Sequence, residues 1–196
     1  MSDIGSHLPT TPIPHIFRSH ETGELYTHCI ECFRSLLDSE TEYLIEKAFR
    51  TYPGFAISDT VFEYAICMSC AEEITKSLSR ESRKRLEQYF GSGINLQERM
   101  EWAKEENPDF GKWVATCAIK GTRVEELTEY QVVAHCKGDQ LILSIFPYLI
   151  GEEALNEMGE LLSNETLEIF DDFGGRHFGL PPEFSDKLRP RFMPVL

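Results

Sequence analysis

Val61-Phe62-Glu63-Tyr64-Ala65-Ile66 runs straight into Cys67-Met68-Ser69-Cys70, and from Ala71 onward the spacing of apolar residues becomes helical. The first six residues are rich in β-branched and aromatic side chains and predict a strand. Ile74, Leu78, Leu86, Tyr89 and Phe90 recur at helical intervals, which predicts one helix from Ala71 to Phe90 stopped by Gly91-Ser92-Gly93. A cysteine pair therefore stands where a strand becomes a helix. The positive end of that helix, with its free N–H groups, favours thiolates.

A matching pair lies upstream: Cys29-Ile30-Glu31-Cys32. It follows a turn signal at Thr22-Gly23-Glu24 and an expected short strand, Leu25 to His28. Between the pairs, Tyr43, Ile45 and Phe49 alternate with Glu42, Glu46 and Arg50, the pattern of a half-buried strand. Zinc takes four thiolates at tetrahedral angles, about 2.3 Å from the metal, and a two-residue spacer lets both sulfurs of a pair reach one ion. Cys29, Cys32, Cys67 and Cys70 are thus expected to hold one structural zinc ion. Iron accepts the same four-sulfur set. A redox pair, which requires a thioredoxin-like framework, and inert buried thiols are the other readings.

The order turn, hairpin, then helix carrying the last two ligands resembles the treble-clef class of zinc fingers over residues 25–90. Phe33 and Ala71 follow the pairs where many zinc knuckles place glycine, so a strict rubredoxin or zinc-ribbon pattern is not matched. The resemblance implies a fold and not one function, because such modules serve nucleic-acid binding, protein docking and nuclease chemistry alike.

The rest of the chain predicts an α+β fold in four parts: an extended N-terminal arm at 1–20, the four-cysteine zinc module at 21–92, an α+β region at 93–180 and an extended, proline-bearing tail at 181–196. Helices are expected from Leu96 to Glu106 and from Phe110 to Cys117, the latter closed by Gly121. Gln131 to Cys136 and Gln140 to Phe146 form the strongest hairpin signal, joined by Lys137-Gly138-Asp139. Glu152 to Leu162 reads as a helix, and Glu165 to Phe173 as a shorter one stopped by Gly174-Gly175.

Charge narrows the partners. The chain carries −14 at neutral pH, with a pI near 4.8. Such a surface repels phosphate backbones and anionic membranes and favours cationic proteins. A hydrophobic fraction of 41% belongs to a folded protein. With no signal-peptide pattern and no apolar run long enough to cross a bilayer, the expected setting is the cytoplasm, where paired cysteines more often mean metal than disulfide.

Weaker signals have plainer explanations beside them. Cys117, Cys136, His135 and His177 could form a second metal site, but nothing in their spacing pairs them. Asp171-Asp172-Phe173-Gly174-Gly175-Arg176-His177 could serve acid–base chemistry; the plainer reading is a glycine-capped helix end whose Arg and His meet the last carbonyls. Lys76, Arg80, Arg83, Lys84 and Arg85 face Glu72, Glu73, Glu81 and Glu87 on the 71–90 helix, where nucleic acid could dock or ion pairs simply be solvated. The expected function is therefore a non-catalytic intracellular protein, an adaptor or inhibitor of a basic partner. A nucleic-acid-associated protein using helix 71–90 and an enzyme working from Asp171–His177 are the alternatives.

Overall fold

The computed structural model describes residues 8–52 and 58–179; the expected C-terminal tail at 181–196 lies outside them. The strands are β1 (Thr10–Pro12), β2 (Glu42–Thr51), β3 (Ser58–Cys67), β4 (Glu129–Lys137), β5 (Gln140–Ile142) and β6 (Tyr148–Gly151). The helices are α1 (Met68–Ser77), α2 (Arg80–Gly93), α3 (Leu96–Trp102), α4 (Gly111–Val114), α5 (Glu152–Leu161) and α6 (Asn164–Phe178). The fold mixes α and β, as expected.

All strand pairs are antiparallel, in the order β1-β5-β4-β2-β3. β2 lies between β3 and β4, with Tyr43 opposite both Cys67 and Cys136. The second edge of β4 is shared: β5 pairs with Cys136 and Lys137, and β6 with Tyr130 to Val133. The sheet thus joins strands from both sides of Gly91–Gly93.

β2 is covered on both faces and not half-buried as its alternation suggests. Tyr43 to Ala48 are all buried, including Glu46 at 1% exposure and Lys47 at 3%. One face carries Lys47, whose ammonium donates to the Arg18 carbonyl at 2.6 Å and pairs with Glu63 at 2.9 Å. Glu63 also accepts the His20 N–H, at 2.8 Å. The other face carries Glu46, which accepts the Tyr64 hydroxyl at 2.7 Å, and Tyr64 packs on Phe173 and Phe178 of α6. Buried polar groups are tolerated when bonded in this way.

The N-terminal segment is more than an extended arm. β1 pairs with β5, while Ile13 and Phe17 enter the core. Leu25 to His28 form no strand; an isolated bridge joins His28 to Ser35 instead. The single helix expected over 71–90 is two, broken at Leu78 and Ser79, which are extended. Ser79 caps α2 by accepting the Ser82 N–H, and its N–H reaches Thr166 of α6 at 3.1 Å. α2 runs past Phe90 and ends at Gly93, within the expected stop. A Cβ on Gly93 would stand 2.9 Å from Ile119, so this glycine permits close packing. Only Gly111–Val114 of the expected 110–117 helix forms, because Cys117 is drawn into a bridge with Leu149. α6 continues through Gly174-Gly175 and ends at Gly179, which is left-handed at φ 61°.

Candidate metal centre

Residues 27–36 make a tight turn before the first sheet-core strand. Cys29 N–H donates to the Arg34 carbonyl, Phe33 N–H to the Cys29 carbonyl, and Leu36 N–H to the Thr27 carbonyl. Ile30 N–H donates to Ala65 and so fastens the turn to β3. Closing the turn forces Phe33 to φ 57°, the left-handed conformation that glycine adopts freely, and leaves its ring 78% exposed. The glycine missing from the sequence pattern is replaced by a strained aromatic.

Cys67 ends β3 and precedes α1, and Cys70 lies in the first turn of that helix. The four sulfurs all lie within 4.8 Å of one another. Cys32 Sγ and Cys67 Sγ are 3.8 Å apart, and the Cys67 N–H donates to Cys29 Sγ at 3.3 Å. A tetrahedron with bonds of about 2.3 Å has edges of about 3.8 Å, so the donor set fits a four-coordinate thiophilic ion. The four cysteines can hold a metal ion.

The thiols differ in their surroundings. A hydrogen bond from the backbone of Arg34 lowers the Cys32 thiol to about 7. Burial pushes Cys67 up against the opposing hydrogen bonds of Cys70, and it pushes Cys70 further, where the neighbouring thiols add to it. A divalent cation removes that penalty by drawing charge from all four sulfurs.

Glu31, inside the first pair, reaches the far end of α6. Arg176 Nη1 lies 3.0 Å from its carboxylate and His177 Nε2 2.9 Å, while Arg176 Nε bonds Asp172. Burial alone would raise the Glu31 carboxyl, but Arg176 and His177 outweigh it and hold it below the ordinary range. Sequence reading assigned Arg176 and His177 to the helix end. Nothing in the chain pointed to a partner 145 positions away.

Between α1 and α6 lies a groove of about 570 Å³ that opens beside Cys70. Ile74, Ile169 and Phe173 give it apolar walls; Glu31, Glu73, Glu165, Glu168 and Asp172 line it, with Arg176 as the lining cation. Asp172 lines this groove, and His177 bonds Glu31. On the two helices of 71–90, Lys76 pairs with Glu72 and Arg85 with Glu81, while Arg83 lines a different, apolar groove beside Leu86 and Phe90.

Among the described residues no second group is placed to hold a metal. Cys117 accepts the Gly151 N–H, Cys136 is buried in β4, and His135 pairs with Glu42. No helix there is long and apolar enough to cross a membrane. Comparison with known protein families, curated proteins and solved structures gave no match.

Proposed function

We propose that this chain is a non-catalytic cytoplasmic interaction protein fastened by one structural zinc ion in a treble-clef-like module. Cys29, Cys32, Cys67 and Cys70 close all four positions of the ion, which leaves none for substrate and favours a structural over a catalytic role. The turn of 27–36, the β2–β3 hairpin and α1 follow one another in the order of that class. The metal fastens the turn to the strand–helix junction.

Its partner is a basic segment of another protein. The observation that carries this is the groove between α1 and α6, apolar in its walls and lined by five carboxylates, in a chain of −14. Apolar walls accept the stems of Lys and Arg while the carboxylates meet their charged ends. The test is a short fluorescein-labelled peptide alternating Arg with Leu, titrated against the intact chain at low and high salt. Binding should weaken with salt and fall in a Glu165→Gln/Glu168→Gln variant. Equal binding by that variant, or none at low salt, removes the proposal.

A further inference from the structure

The groove has two walls that are distant in sequence: α1, which begins at the cysteines, and α6, which closes the described chain. At the Cys70 end, the turn of the first pair reaches both of them. This inference rests on the groove being the docking surface proposed above.

We infer that Glu31 is a latch that makes the α6 wall depend on the metal. Glu31 stands one residue from Cys32 and two from Cys29, so its carboxylate is placed only as firmly as the turn. A metal would hold that turn against Cys67 and Cys70, whose α1 forms the other wall. From there Glu31 takes Arg176 and His177 together, and Arg176 in turn holds Asp172 one helical turn back. One ion would thus fix α1 directly and, through a single carboxylate, the Arg176–His177 face of α6, whose buried face packs separately on Tyr64 through Phe173 and Phe178.

The opposite end of α6 has separate anchors. Ser163 caps it by accepting the Thr166 N–H, its hydroxyl lies 2.9 Å from that of Ser79, and Thr166 is fully buried. Loss of the metal or the latch therefore loosens 171–178 around Arg176 and His177, with Phe173 and Phe178 still packed on Tyr64, and leaves 163–168 in place. The groove opens at its Cys70 end, and a basic segment loses the fixed spacing of the two carboxylate-lined walls.

Hydrogen exchange read by mass spectrometry on the intact chain tests this, comparing zinc-loaded protein, chelator-treated protein and a zinc-loaded Glu31→Gln variant. Both perturbed samples should exchange on the order of tenfold faster at 171–178, with 163–168 unchanged. The Glu31→Gln chain should keep its zinc, and Arg176→Gln should reproduce its pattern. If chelation releases protection everywhere, the zinc-loaded Glu31→Gln chain decides. Unchanged exchange at 171–178 in that variant overturns the latch. Should 171–178 respond while the zinc-loaded parent ignores the Arg–Leu peptide, the latch stands and the docking proposal falls; a working latch with a binding groove predicts about tenfold weaker peptide binding in Glu31→Gln.

Discussion

The backbone N–H of Cys67 donates to Cys29 Sγ across 3.3 Å, so the strand–helix junction and the first-pair turn meet through main chain as well as sulfur. The same core extends well beyond that meeting, to Trp113, Val132, Val133, Leu149 and Phe170, all buried. Replacing Cys67 with Ser should therefore loosen residues 25–36 and 67–71 while the six-stranded sheet persists. Circular dichroism should keep its β signal, and proteolysis should cut first within 25–36. Loss of the whole secondary structure would contradict this division.

Phe33 occupies a glycine conformation at φ 57°. A side chain there costs about 1–2 kcal/mol, partly offset by the greater freedom glycine gains when unfolded. Phe33→Gly should stabilise the zinc-loaded chain by about 1 kcal/mol, whereas Phe33→Ala should not. Urea midpoints measure both, and a destabilised Phe33→Gly would mean the ring packs where the geometry leaves it open.

Glu63 sets a pH dependence. Burial would raise its carboxyl, but Lys47 and the His20 N–H outweigh burial and hold it below the ordinary carboxylate range. A depressed folded value gives stability that is complete above the unfolded value of about 4.3 and is lost as pH falls through the folded one. The parent should lose more stability than Glu63→Gln between pH 5 and pH about 3 in denaturant titrations. Parallel curves would remove Glu63 as the cause. Lys47→Ala should cost about 3 kcal/mol at neutral pH, since it leaves a mostly buried carboxylate without its cation.

Ser79 and Ser163 cap different helices, yet their hydroxyls lie 2.9 Å apart, with Ser82 and Thr166 completing the cluster. Each change to Ala should cost about 1–2 kcal/mol. The pair should cost less than the two added together, because the second change removes a group whose partner is already gone. Simple additivity in a double-mutant cycle would show the caps to be independent.

Local signals in the chain were legible, and distant partners were not. The cysteine pairs, β2, β3, the β4–β5 hairpin and α5 follow from spacing and residue type over a few positions. That β2 pairs with β4 depends on residues 42–50 meeting 129–137, which no alternation encodes. Glu46 looks solvent-facing from its alternation until α6 covers that face, and Lys47, in line with Tyr43 and Ile45, is buried with partners in Glu63 and the Arg18 carbonyl. Ser79 breaks a helical pattern because its cap is shared with α6, and Gly93 is needed for the close approach of Ile119. At the site itself, spacing was enough to find the four cysteines. The path from Glu31 to Arg176 joins positions 145 apart in the chain, whereas the sequence alone assigns Arg176 to its own helix end.

Elemental analysis with native mass spectrometry on protein purified without chelator tests whether Cys29, Cys32, Cys67 and Cys70 hold zinc. One zinc per chain, lost when Cys29 or Cys70 becomes Ser, is the predicted result. A folded chain with no metal, with iron, or with the cysteine pairs oxidised to disulfides would contradict it.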